Sequence, residues 1–139
     1  MAHDKIMETR EVLSGWKTLT PFLRTLLCGV QQEKFLCLYL DKKNRLIKIV
    51  ETEGTIDRCP VYPREVMRNA ILLNATALIL VHNHPSGDPT PSQSDIDITK
   101  RIVKCAATMN IAVHDHCIVG DNEIASFKSL GLMLSLIHI

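Results

Sequence analysis

The sequence predicts one α/β or α+β domain, and three observations carry the prediction. Short apolar runs bounded by turn residues, Phe35 to Leu40, Arg45 to Val50 and Leu78 to Val81, read as strands. Stretches beginning near Pro21, Pro63 and Ser92 repeat their apolar residues at helical spacing. The length, 139 residues, is enough for a single core. Strand pairs alternating with helices are the pattern of a sheet covered by helices.

Composition narrows the class. Hydrophobic residues make up 46% and charged residues 22%, an ordinary balance for a globular protein. Aromatics reach only 4%, so Ile, Leu, Val and Ala must fill the core. The net charge is +1 and the Lys and Arg residues are scattered, which gives no electrostatic footprint for nucleic acid. No apolar run approaches the ~18 residues of a membrane span, and the N-terminus has no signal-peptide pattern. The five cysteines, Cys28, Cys37, Cys59, Cys105 and Cys117, are odd in number and contain no Cys-x-x-Cys pair. Reduced thiols in a cytoplasmic protein are therefore expected, with Cys28, Cys37, Cys105 and Cys117 in the core.

Taken in order, residues 1–12 are polar and expected to be a flexible N-terminus, with the domain spanning residues 13–133. Thr20-Pro21 marks a helix start, Thr as N-cap and Pro at the first helical position. Phe22, Leu23, Leu26, Leu27 and Val30 form its core-facing stripe, and Gly29 weakens its end. Phe35 to Leu40 and Arg45 to Val50 pair as a hairpin across Asp41-Lys42-Lys43-Asn44. Gly54 marks a bend before Thr55-Ile56. A second helix opens at Tyr62-Pro63 and runs to about Asn74, with Val66, Met67, Ala70 and Ile71 inward. Arg64 has two readings, a bidentate partner for a substrate carboxylate or an ion pair with Glu65 or another acid nearby. The third helix covers about Ser92 to Met109, burying Ile98, Ile102, Cys105 or Ala106, and Met109, with Asp97, Lys100, Arg101 and Lys104 solvated. A strand from Ile111 to Val119 alternates Ile111, Val113, Cys117 and Val119 on one face, with His114 and His116 opposite. Gly120-Asp121-Asn122 then turns the chain into Ile124 to Phe127.

The chemistry concentrates in His82-Asn83-His84-Pro85-Ser86-Gly87-Asp88-Pro89-Thr90-Pro91-Ser92-Gln93-Ser94-Asp95. It comes directly after the buried-strand run Leu78 to Val81, so His82 and His84, two residues apart, face the same side if the strand persists. Pro and Gly force an irregular loop, and helical pattern resumes at Ser92 with Asp95 in the first turn. Two imidazoles and a carboxylate are thus expected to converge where a strand ends and a helix begins. Three protein ligands with room for water are the usual make-up of a catalytic zinc site. Ser92 with Asp95 is equally a capping arrangement that satisfies the helix's orphan N–H groups. His114 and His116 form a second His-x-His, but no carboxylate lies after them at suitable spacing, which favours packing or support of another group over ligation.

The spacing His-x-His-x7-Ser-x2-Asp resembles the signature of JAMM/MPN metalloproteases, and the string HNHPSGDPTPS resembles the RadC family, the bacterial branch of that superfamily. The similarity runs from about Leu13 to Met133 and includes Tyr62-Pro63-Arg64-Glu65, Asp115-His116 and Ser126-Phe127. It implies one zinc ion per chain on His82, His84 and Asp95, with Ser92 as an active-site hydroxyl. Glu33, just before an early strand, matches the place of the family's catalytic glutamate. By its residues alone it is an ordinary solvated charge, and Glu51 and Glu53 are its rivals. Arg64, Asp115 and His116 become candidates for supporting the ligands or contacting substrate. The implied fold is a mixed, largely antiparallel sheet flanked by helices, similar to the cytidine-deaminase-like architecture. Deaminase chemistry is not implied, because its His-x-Glu and Pro-Cys-x-x-Cys ligands are absent.

The implied function is hydrolysis of an amide bond in a peptide or protein substrate. Three other classes remain as expectations to test: a DNA-repair factor, a non-catalytic metal-binding module, and a non-haem iron oxygenase, whose usual ligand order differs. Full-length RadC members resemble helix-hairpin-helix proteins at their N-terminus, a region without a counterpart here. Leu134-Ser135-Leu136-Ile137-His138-Ile139 has no counterpart in the resemblance either. One reading frame of a common transposase sequencing adapter encodes the same six residues, so a read-through artefact is expected.

Overall fold

Leu36, Leu38 and Leu40 pack on one side of a central sheet while Phe35, Cys37 and Tyr39 pack on the other. A strand apolar at every position is buried on both faces, and its two-residue period divides the core into two layers. The computed structural model describes residues 5–6, 12–13, 15–56 and 60–133. Its elements are β1 (Lys5–Ile6), α1 (Trp16–Leu27), β2 (Phe35–Leu40), β3 (Leu46–Glu51), α2 (Pro63–Leu72), β4 (Ala77–Asn83), α3 (Gln93–Thr108), β5 (Ala112–Val119) and β6 (Ile124–Ser126).

Among the described residues the sheet has six strands in the order β1-β3-β2-β4-β5-β6. Of the described strand pairs, only β4 and β5 run parallel, and the others are antiparallel. The parallel pair requires a crossover, which α3 supplies. Leu19, Leu23 and Leu27 of α1 cover one face with Leu36, Leu38, Ile79 and Val81. Val66, Met67 and Ala70 of α2 and Ile98, Ile102 and Ala106 of α3 cover the other, with Tyr39, Leu78 and Leu80. This is the mixed, largely antiparallel sheet flanked by helices that the sequence resemblance implies. The loop that carries His84 leaves the carboxyl end of β4, where open α/β sheets place their sites.

Several local expectations are corrected. Helix α1 begins at Trp16, and Pro21 lies inside it. Pro21 removes one helical hydrogen bond, but starting at Trp16 adds Leu19 to the buried stripe. Residues 5–6 pair with Ile49 and Lys48 of β3, and Val12 bridges Arg45. Ile71 and Met109 are 57% and 47% exposed, so neither belongs to the core. Cys28 is exposed at the end of α1, and Cys105 is half-buried.

The strand from Ile111 to Val119 also departs from simple alternation. A register shift between Leu78 and Ile79 sets them against Val113 and Asp115, leaving His114 unpaired. This bulge reverses the facing of the residues after it. Val113 and Ile118 pack with α2 and α3, whereas Cys117 and Val119 pack with α1. His114 and His116 consequently do not share a face. His114 lines a cleft with Leu13, Trp16 and Leu19, whereas His116 stacks on Phe127. Cys59 and residues 134–139 lie outside the described residues.

Candidate metal centre

The strand period carries Leu78 and Leu80 to the α3 side of the sheet and His82 with them, 1% exposed. His84 lies just beyond β4, its backbone N–H donating to Val119 O at 3.0 Å. The loop after it is clamped to the β5–β6 turn. Asp121 N–H donates to Gly87 O at 3.0 Å, and a Cβ on Gly120 would collide with that same oxygen. Gly87 has φ +92°, and a side chain there would strike the Asp121 carboxylate.

Ser92 caps α3, and both bonds of a capping box form. Asp95 N–H donates to Ser92 Oγ at 3.0 Å, and Ser92 N–H donates to Asp95 Oδ2 at 2.7 Å. The capping and ligand readings of Asp95 are therefore compatible. The cap fixes the carboxylate, fully buried, against the two imidazoles. His84 Nε2 lies 3.0 Å from Asp95 Oδ2, and His82 Nδ1 lies 3.2 Å from Asp95 Oδ1. One ligand atom from each of His82, His84 and Asp95 falls within 4.8 Å of the others.

The hydrogen bonds of these groups fit a cation. The Asp88 carbonyl, 2.8 Å from His84 Nδ1, can only accept, so Nδ1 carries the proton. A neutral His84 then turns its Nε2 lone pair towards a carboxylate oxygen, and two acceptors face each other unless a proton or a metal ion lies between. His82 Nδ1 and Asp95 Oδ1 are both buried and, among the described residues, have no hydrogen-bond partner. Nδ1–H to a carbonyl is also the usual support that presents the other nitrogen to a metal. Burial works to lower the His82 pKa, but the Asp95 carboxylate and then Glu33 outweigh it and raise it. Burial likewise works to raise the Asp95 pKa, and His82 and Ser92 reverse it, holding the carboxylate ionised.

Glu33 Oε2 stands 3.1 Å from His82 Nε2, so the expected catalytic glutamate is brought to the cluster. Its rival Glu51 pairs with Lys34 Nζ at 3.6 Å, and Glu53 is exposed. His116 is fully buried beneath the site, its ring centroid 6.2 Å from that of His82. Thr99 spends its hydroxyl proton on Asp95 O at 2.6 Å, so His116 Nδ1 donates to Thr99 Oγ1. Burial pushes the His116 pKa down to about 3, keeping this ring neutral.

Two candidates are not brought to the ligands. Asp115 accepts from Ser126 Oγ and from the backbone N–H groups of His116 and Lys128, and so pins the end of β6. Arg64 lines an apolar groove with Met67, Ile71 and Met109, and it is Arg68 that approaches Glu65, at 3.9 Å. Sequence reasoning misses Asn83. It is 2% exposed, and its side chain donates to Val30 O at 3.2 Å and Gln32 O at 3.0 Å while accepting from Lys34 N–H at 2.7 Å. Its signal is its place between two ligands on a strand, which turns it to the opposite face.

The fold and this cluster define a helix-flanked mixed-sheet domain with a His-His-Asp cluster that could hold a metal ion at the end of its parallel strand pair. The model of the RadC-like JAB domain matches residues 13–132, and the chain belongs to the RadC family. It is 48% identical over 134 residues to the UPF0758 protein of Ruegeria pomeroyi, covering 96% of this chain and 59% of that relative. The chain thus spans about three fifths of that relative's length. No helix among the described residues is long and apolar enough to cross a membrane.

Proposed function

We propose that the chain is a zinc-dependent hydrolase of the JAMM/MPN type that cleaves an amide bond, a metallopeptidase or isopeptidase. The observation that carries this reading is the pairing of a possible His82-His84-Asp95 ligand set with a glutamate 3.1 Å from one of its members. Two imidazoles and one carboxylate are borderline ligands that suit zinc and leave a position open.

Bound zinc would supply a Lewis acid, lowering the pKa of a coordinated water from ~15.7 towards ~7 and polarising a carbonyl. Glu33 then takes the proton of the attacking water as its oxygen bonds to the carbonyl carbon. When the carbon–nitrogen bond breaks, Glu33 returns that proton to the departing amine. Ser92 Oγ accepts from Asp95 N–H and keeps its own proton to donate to the developing oxyanion. The Ser92 cap holds the Asp95 carboxylate, and Thr99, which accepts from His116, donates to the Asp95 carbonyl.

The test is activity profiling of the zinc-loaded chain on peptide, isopeptide and DNA substrates. Hydrolysis of a peptide or isopeptide bond, abolished by chelation and restored by zinc, is expected. Cleavage or salt-dependent binding of DNA with no amide hydrolysis would replace this reading with a DNA-directed one.

A further inference from the structure

The two halves of the site reach it by different routes. His82 and His84 belong to the end of β4, whereas Glu33 arrives on residues 28–34, which link α1 to β2 without regular structure. A general base on such a link needs something to fix it, because a displacement of about 1 Å can cost on the order of 10²-fold in rate.

We propose that Asn83 is the positioning residue that locks Glu33 to the metal ligands. It lies between His82 and His84, so strand alternation sends its side chain away from the ligands and under the linking segment. There its amide spans the segment on both sides of Glu33. Nδ2 donates to Val30 O and Gln32 O, and Oδ1 accepts from Lys34 N–H at 2.7 Å. Both amide protons are used. No other uncharged side chain offers two donors and an acceptor at this length, so the residue type is tied to the task. The Asn83 backbone N–H also reaches Lys34 O at 3.4 Å, and Phe35 is in register with His82. One residue therefore converts the position of β4, which carries the ligands, into the position of Glu33. The inference rests on the reading of Glu33 as the base, but its geometric content does not require hydrolysis.

The test uses wild type, Asn83→Ala, Glu33→Gln and the double variant of the full chain. Asn83→Ser, which keeps one polar group of shorter reach, replaces Asn83→Ala if the latter does not fold. Three readouts need no substrate: amide exchange of residues 31–34, the imidazole ¹⁵N resonances of His82 in the metal-free protein, and affinity for zinc alone. Asn83→Ala is expected to speed exchange at Lys34 at least tenfold and to keep zinc affinity within about threefold of wild type. It should also shift the His82 resonances as Glu33→Gln does, with no further shift in the double variant.

Unchanged exchange at Lys34 would overturn the proposal. So would faster exchange with His82 resonances at their wild-type positions, since Asn83 would then hold backbone without placing Glu33. Hydrolysis by Glu33→Gln at the wild-type rate would instead remove Glu33 as the base and leave this geometric result standing.

Discussion

His82 Nε2 and Glu33 Oε2 stand 3.1 Å apart, although 49 residues separate them in the chain. Strands β2 and β4 make the contact, because Phe35 is in register with His82 and Glu33 lies two residues before Phe35. Sites supported by paired strands hold their geometry better than sites on free loops. His82 and Glu33 are thus brought together at one end of the central β2–β4 pair.

Purified protein should bind about one equivalent of zinc, measured by elemental analysis. Replacing both His82 and His84 by Ala should abolish this. A double variant that still retained a full equivalent would show that the ion sits elsewhere.

The domain should keep its fold when the metal is removed. Its two core layers, with Tyr39, Phe35 and Leu23 fully buried, do not depend on the ligands. In small zinc fingers, by contrast, metal binding free energy is folding free energy. Chelation should lower the melting temperature and leave one cooperative transition in far-ultraviolet circular dichroism, with loss of the folded signal as the contrary result.

Gly120→Ala should disturb the loop that carries His84. The new Cβ would meet backbone atoms, Gly87 O and Pro89 N, which cannot rotate aside as a flexible side chain would. A cost of about 1–3 kcal/mol in stability is expected for such overpacking, with weaker zinc binding. Calorimetry and zinc titration check both, and wild-type values in each would mean the clamp is slack.

Acid should destabilise the metal-free domain through His116. Unfolded, this residue gains a proton near pH ~6.5; folded, it remains neutral down to about 3. Between those values the unfolded state binds more protons, so stability falls as pH drops from about 6.5 and is untouched by this group above it. His116→Phe keeps a ring against Phe127 and removes the titration. Its melting temperature should fall less than that of wild type between about pH 7.5 and about pH 5. An equal fall in both proteins would contradict the assignment.

How much of the fold and site is legible in the sequence depends on whether the signal is local. The run Leu78 to Val81, the His-x-His after it and the Ser-x-x-Asp cap all lie within one short stretch, so β4, the loop and α3 can be read directly. The bulge at His114 cannot, because it arises from the pairing of β5 with β4 and leaves no mark in the sequence of residues 111–119. The start of α1 is misplaced for a related reason. Pro21 is a strong local start signal, but burial of Leu19 against the sheet outweighs it. Asn83 escapes notice because its partners, Val30, Gln32 and Lys34, are about fifty residues away and meet it only after β2 and β4 pair. Glu33 looks like a solvated charge in isolation, and only the family resemblance singles it out.

In the proposed mechanism the two carboxylates at the site have different roles, Asp95 as ligand and Glu33 as acid/base. Zinc content and amide hydrolysis measured together on Glu33→Gln and Asp95→Ala test this division most directly. Glu33→Gln keeps the side chain's size and reach but cannot take a proton. It should hold wild-type zinc while hydrolysis falls by about 10²–10⁴-fold, and Asp95→Ala should lose both. Loss of zinc in Glu33→Gln would make Glu33 a ligand, and full turnover with zinc retained would place the base elsewhere; either result contradicts the division of roles.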